Sequence, residues 1–247
     1  MKPLFKFNLT HDTYVAGFAG ISMIVISLLM IPFSGESILH KIGSFFLRDI
    51  MMIFGLGIVF VSLFVERKGK EVLSDMGFSK YKIKLSLILD LIFAVSLLAM
   101  FMKKGVREDI LNVYNFYAAV YIITAGIFEM TFIYGYLRMS FENAFGTIPS
   151  IFLTSVFYSF HHAGFQPEFV HLFWVGLMYL SVFYITRNLL VIFPFFWGVG
   201  ALWDVIISSE AGEGIKNIES FGIAIFIWVL IIGFFKYKYV VEHPKLK

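Results

Sequence analysis

Long apolar runs alternate with short polar segments along the whole chain. Each run is about 17–25 residues long, enough for a helix to cross a hydrocarbon core of about 30 Å. The runs are continuously apolar and lack the two-residue alternation of half-buried strands, so they are predicted to be helices. Eight spans are predicted, at 14–33, 49–65, 83–102, 113–137, 148–164, 169–186, 188–207 and 219–237.

The composition agrees with an integral membrane protein. Apolar residues make up 59% of the 247 residues and charged residues 15%, against about 45–50% and about 25% in soluble domains. The mean hydropathy is +0.84. A net charge of +3 does not indicate a nucleic-acid partner, and the lack of cysteine excludes disulfides and a thiolate nucleophile. We therefore expect one polytopic all-α membrane domain over residues 1–247, with the lipid bilayer as its surroundings.

Lysine and arginine are distributed unevenly between the two ends of the predicted bundle. If the N-terminus is cytoplasmic and the spans alternate, fourteen of these residues fall in cytoplasmic segments and six in outer ones. Because basic loops favour the cytoplasmic side, both termini are predicted to be cytoplasmic. The first run lacks a small-residue cleavage site and is expected to be a retained span. The basic segment 66–84 is open to two interpretations, an amphipathic elbow on the inner leaflet or a solvated loop.

A few ionisable side chains interrupt the predicted spans, and each is a functional candidate because such a group costs several kcal/mol inside a bilayer. Asp90 has no second feature beside it and is interpreted chiefly as a structural hydrogen-bond acceptor. Glu129 is either a functional carboxylate or a protonated acid bonded to a neighbouring span. Asp204 either orients a group in a cavity beside Gly200 or is a solvated acid at a helix end. The others are His161 and His162.

The two adjacent histidines end the apolar stretch SVFYSFHHAGF, residues 155–165. Neighbouring residues on a helix point about 100° apart. At most one of His161 and His162 is therefore predicted to face a site, and the other is expected to serve packing or to meet water. The spacing of His161 from Phe157 is the reason to expect that His161 is the one that faces a polar cavity.

These residues, in this order, resemble the motifs of the CAAX-protease and bacteriocin-processing family of intramembrane proteases, also called CPBP or Abi. The family's first motif is Glu-Glu-x-x-x-Arg, usually followed by Gly. In EMTFIYG, Glu129 matches the first glutamate and Gly135 the glycine, while Met130 and Tyr134 stand at the second glutamate and the arginine. These two changes together remove one acid and one base, which keeps the local charge neutral.

The family's second motif is matched in full and its third motif only in part. Phe157 and His161 match Phe-x-x-x-His, whereas in His-x-x-x-Asn/Asp only Asp204 matches, because Gly200 stands at the histidine position. The resemblance covers about residues 113–207 and an eight-span topology. His162 and His171 are the candidates to replace the missing histidine.

The resemblance implies an intramembrane endopeptidase of a prokaryotic plasma membrane, acting on a peptide or membrane-protein segment. Glu129 would activate the attacking water as general base. His161 would polarise the scissile carbonyl or hold the oxyanion, and Asp204 would orient another group. No cofactor is expected. The alternative is a metal ion bound through Glu129 and His161, although zinc hydrolases usually supply two or three histidines.

The glycine at position 200 keeps a second hypothesis open, in which the fold is retained and proteolysis is lost. The protein would then be a binding, regulatory or bacteriocin-immunity scaffold. A small transporter is a third hypothesis. It is less favoured because no pair of Gly- or Pro-broken spans recurs in the two halves of the chain, as inverted-repeat carriers would show.

Overall fold

The computed structural model of the protein describes residues 2–35, 37–103, 111–164, 168–208 and 214–242. Within these ranges the chain is helical and contains no strand. Lys104, Arg107, Lys245 and Lys247, which contribute to the predicted charge bias, lie outside them. The helices are α1 His11–Leu29, α2 Ile38–Lys68, α3 Val72–Met76, α4 Ile83–Met102, α5 Val113–Phe145, α6 Thr147–His161, α7 Phe169–Thr186, α8 195–208 and α9 Ile218–Glu242.

Every predicted span coincides with one of these helices, so the all-helical membrane fold is confirmed. In the part of the chain that the structure describes, six helices are long and apolar enough to cross a membrane: α1, α2, α4, α5, α7 and α9. The remaining two predicted spans are shorter helices. The helix α6 has 15 residues, and the apolar part of α8 is Phe195–Val205. Both pack among the long helices.

Contacts between connecting segments show which of them share an end of the bundle. The N-terminal segment forms backbone hydrogen bonds with the turn between α5 and α6, and the Lys2 ammonium lies 3.5 Å from the carboxylate of Asp75 in α3. At the opposite end, Lys41 of α2 pairs with Glu219 of α9 at 3.0 Å. This is the arrangement that alternating spans predict. Which end faces the cytoplasm stays a prediction.

The basic segment between α2 and α4 is docked on the protein, which neither interpretation of it anticipated. Met76 is fully buried, and Gly77 packs against Phe183 of α7 with a φ of 101°, a left-handed conformation that favours glycine. The Asn188 side chain donates to the carbonyl of Ser79 at 2.8 Å. The apolar residues of this segment therefore contact helices of the bundle.

A buried ion network joins α5, α6 and α7 at the same end. The Glu142 carboxylate accepts from Arg138 Nη1 at 2.9 Å, from Arg187 Nη2 at 2.9 Å and from Thr147 Oγ1 at 3.1 Å. Arg138 also donates to the carbonyl of Asp75 at 2.6 Å. The sequence suggested a loop position for Arg138, whereas its side chain is fully buried. The network fixes the relative positions of the helices that carry the site described below.

Asp90 of α4 caps the beginning of α8. Its carboxylate accepts the backbone N–H of Phe195 at 3.2 Å and of Phe196 at 2.7 Å. The first N–H groups of a helix have no partner inside the helix, and Pro194, which precedes α8, offers no side-chain cap. The interpretation of Asp90 as a structural acceptor is confirmed.

Replacing Asp90 with alanine is expected to destabilise the protein by about 1–3 kcal/mol, because two buried N–H groups lose their acceptor. The stability of Asp90→Asn, which keeps one acceptor oxygen, should lie between those of the wild type and Asp90→Ala. The measurement is the midpoint of unfolding in detergent micelles, with Glu71→Gln on the exposed loop as the matched control. Equal midpoints for wild type and Asp90→Ala would show that the cap does not stabilise α8.

Candidate active site

Glu129 lies inside α5 where the helix widens. Hydrogen bonding of the i→i+5 type runs over Glu129–Leu137, a winding that occurs frequently at functional sites. Thr131 donates to the carbonyl of Ile127 at 2.8 Å, which gives that carbonyl a side-chain partner. Glu129 is 7% exposed. Its carboxylate points into the bundle, toward α6 and α8.

Trp197 of α8 holds one oxygen of the Glu129 carboxylate. The indole Nε1–H donates to Oε2 at 2.8 Å. Gly126, about one turn before Glu129, makes room for the indole, since a Cβ there would lie 2.5 Å from the Trp197 ring. Sequence reasoning missed Trp197; its signal was an indole donor within the phenylalanine-rich stretch FPFFWG. The second oxygen, Oε1, is left to face α6.

Both histidine rings face Oε1 of Glu129. The Nε2 atoms of His161 and His162 lie 3.7 and 3.8 Å from it, and the ring centroids are 3.8 Å apart. The prediction that only one histidine would face the site is wrong. The 100° separation applies along a helix interior, whereas α6 ends at His161. Both Nδ1 atoms contact one carbonyl, that of Tyr158, at 2.7 and 3.0 Å, and this shared acceptor turns both rings the same way.

Ser27 of α1 holds the turn that follows the histidine pair. Its hydroxyl donates to the carbonyl of His161 and accepts the N–H of Gly164 at 2.9 Å. Gly164 lies so close to the Ser27 backbone that a Cβ would overlap it. Phe157 of α6 packs against Gly20 of α1. The phenylalanine of the second motif therefore positions α6 against α1 and does not line the cavity.

The hydrogen bonds to Tyr158 define the tautomer of both rings. A carbonyl can only accept, so each Nδ1 carries its hydrogen, and in the neutral ring Nε2 is an acceptor. Glu129 Oε1 thus lies 3.7 and 3.8 Å from the two acceptor Nε2 atoms, and the three residues can each place one ligand atom within 4.8 Å of the others. These atoms are too far apart for direct hydrogen bonds. Ligands of a tetrahedral zinc ion are about 3.3 Å apart, so the spacing suits a shared water molecule or a metal ion.

The cluster opens into a cavity of about 1340 Å³. The cavity extends from Glu129 to the end of the bundle opposite the N-terminus, where Lys41 and Glu219 line it. Much of its wall is apolar and comes from α2, α4, α5 and α7, with residues such as Met52, Phe101 and Val175.

The other predicted site residues divide between the cavity wall and the core. His171, Gly200 and Asp204 line the cavity, as does His162 itself. Tyr134, at the arginine position of the first motif, is fully buried. It lies behind the wall, in ring contact with Tyr158 and Tyr179, and does not line the cavity.

Gly200 has no side chain because another residue fills the space beside it. A Cβ built on Gly200 would overlap the hydroxyl of Tyr179, which reaches across from α7. Tyr179 is 2% exposed and lines the same cavity as Glu129. Sequence reasoning missed this tyrosine, since no motif spacing links α7 to α8.

Fold and site together define a polytopic helical membrane protein with a carboxylate and two imidazoles at the closed end of a large cavity. Residues 112–202 match the family model described as type II CAAX prenyl endopeptidase Rce1-like. The match spans Glu129, both histidines and Gly200, and ends before Asp204. It confirms the resemblance to CPBP intramembrane proteases. No curated protein and no solved structure matches the chain significantly.

Proposed function

We propose that the protein is an intramembrane endopeptidase of the CAAX type that hydrolyses a peptide bond with a water molecule activated by Glu129. The observation that supports this most is the convergence of Glu129 Oε1 with the Nε2 atoms of His161 and His162 at 3.7 and 3.8 Å. A water molecule among these three acceptors can donate its two hydrogens to two of them, which leaves a lone pair to attack a carbonyl carbon.

The proposed roles follow from the contacts of each group. Glu129 takes a proton from the water through Oε1, while Trp197 holds Oε2 in place. The proton passes to a histidine Nε2 and from there to the leaving amine, since a ring that accepts at Nε2 becomes a donor once protonated. Asp204 lines the same cavity, and its carboxylate would orient a neighbouring group there.

The cavity supports an apolar, lipid-like or prenylated peptide as the substrate. Its volume of about 1340 Å³ exceeds the roughly 300–1,000 Å³ of pockets for small molecules. The family description names CAAX prenyl substrates, and the apolar wall suits an isoprenoid chain. With both termini in the cytoplasm of a prokaryotic cell, the cavity would take its substrate from the outer side of the plasma membrane.

The proposal is tested with the purified protein in proteoliposomes and fluorogenic peptides that end in a CAAX sequence, with and without a prenyl group. We expect cleavage of the prenylated peptide, at a higher kcat/KM than its unprenylated match. No cleavage of either peptide, from a protein that still binds them, would favour the scaffold hypothesis instead.

The same three atoms also form a suitable ligand set for a divalent metal, now with two imidazoles, which answers the objection raised from the sequence. In that mechanism the metal would lower the pKa of its bound water, and Glu129 would be a ligand. The glutamate mechanism predicts that dialysis against 1,10-phenanthroline leaves the cleavage rate within twofold of its starting value. A loss of activity that Zn²⁺ or Co²⁺ restores would assign the metal mechanism.

A further inference from the structure

Peptide hydrolysis at this site needs a hydrogen-bond donor that the cluster itself does not provide. The attacked carbonyl oxygen becomes an oxyanion, which catalysis stabilises with donors already in place. Glu129 accepts only, and the Trp197 N–H is already bonded to it. Each histidine uses its Nδ1–H on the Tyr158 carbonyl. The resting cluster is therefore rich in acceptors and has no donor left for the substrate.

The hydroxyl of Tyr179 is a hydrogen-bond donor in the wall of the cavity that Glu129 also lines. The Tyr179 ring contacts that of Tyr134, which in turn contacts Tyr158, the residue whose carbonyl holds both histidines. The residues that the structure describes give this hydroxyl no hydrogen-bond partner. Its ring packs edge-on against Phe196 of α8 at 5.0 Å between centroids, so its direction is set by the core.

We propose that the Tyr179 hydroxyl donates the hydrogen bond that holds the oxyanion of the tetrahedral intermediate, and that Gly200 is glycine to leave space for it. The inference rests on the proposed function and names a catalytic residue of the same site. No covalent bond to tyrosine forms; the hydroxyl keeps its proton throughout. A donor from α7 thus takes the place of a side chain at position 200 of α8.

Tyr179→Phe removes the donor and keeps the ring. We expect kcat for the prenylated peptide to fall about 10²–10³-fold, with KM within about twofold of the wild-type value, because the bond forms only as the oxyanion develops. The matched control is Tyr184→Phe on the same helix, whose hydroxyl bonds Ser150 at 3.0 Å and does not line the cavity. Its kcat should stay within about twofold of wild type.

Gly200→Ala tests the steric half of the proposal. The added Cβ displaces the Tyr179 hydroxyl, so kcat should fall by tenfold or more. In the double variant Gly200→Ala/Tyr179→Phe the hydroxyl is absent, and the alanine should cost no further activity. Additive losses in the double variant would show that position 200 acts independently of Tyr179.

The outcomes separate this inference from the proposed function. A wild-type enzyme that cleaves, with Tyr179→Phe equally active, overturns the role of Tyr179 and leaves the endopeptidase in place. If the wild type does not cleave, the role of Tyr179 is tested by the binding of a peptide phosphinate, which is an analogue of the tetrahedral intermediate. We expect Tyr179→Phe to bind it at least tenfold more weakly than the wild type while binding the parent peptide equally. Equal binding of the phosphinate would overturn the inference.

Discussion

Glu129→Gln is expected to lower kcat for peptide cleavage by at least about 10³-fold, within the 10²–10⁴-fold range typical of a general base. The amide has the size of the carboxyl group, and its oxygen can still accept the Trp197 N–H that holds Oε2 at 2.8 Å. It cannot take a proton from water. The measurement is single-turnover cleavage of the prenylated peptide in proteoliposomes, together with the unfolding midpoint of each variant.

The control for this variant is Glu71→Gln, which makes the same chemical change on the exposed segment before α3. It should cleave at the wild-type rate. Glu129→Gln should keep the wild-type unfolding midpoint within the error of the measurement or rise above it, because a neutral side chain is easier to bury. A well-folded Glu129→Gln protein with wild-type cleavage would remove Glu129 from the mechanism.

Glu142→Ala is expected to destabilise the folded protein by about 3–5 kcal/mol, the loss typical of breaking a buried ion network at one partner. Glu142 is 1% exposed and Arg138 is fully buried. Without the carboxylate, the buried Arg138 guanidinium loses its charged partner at 2.9 Å, and Arg187 loses a partner at 2.9 Å. The measurement is the unfolding free energy in mixed micelles, followed by the helical circular dichroism signal.

An exposed ion pair provides the contrast for that prediction. Glu219→Ala removes the partner of Lys41, whose pair is about half exposed on both sides, and exposed pairs contribute about 0–1 kcal/mol. The two variants should therefore differ clearly in the unfolding midpoint. A Glu142→Ala protein as stable as Glu219→Ala would mean that water or a rearranged side chain compensates Arg138.

The apolar runs predicted the helices well, because a bilayer demands long, continuously apolar segments that close their own backbone hydrogen bonds. The lengths of the apolar runs did not show that the helices α6 and α8 are shorter than the others. These two helices carry His161 and Trp197, with His162 directly after α6, and they pack among longer helices. A helix surrounded by protein has no need to match the membrane thickness, so hydropathy alone could not separate it from a true span.

Glu129 and His161 could be predicted as site residues because an ionisable group in an apolar helix is costly and rarely retained without a role. The role of His162 could not be predicted, because neighbouring residues within a helix point about 100° apart. Both rings turn to the Tyr158 carbonyl only because α6 ends at this point. Trp197 and Tyr179 were missed for a different reason. Aromatic residues make up 19% of the chain, and only the packing shows that Trp197 bonds Glu129 and that Tyr179 lines the same cavity.

The amino-acid sequence by itself determined that this chain is a helical membrane protein, where its helices lie and which carboxylate and imidazole stand out. These properties depend on local composition and on the solvent that surrounds each segment. Only the tertiary structure decided that two histidines share one carboxylate, that Asp90 caps α8 and that the Tyr179 hydroxyl lies where Gly200 has no side chain. Such contacts join residues far apart in the chain, and their geometry comes from how helices pack against one another.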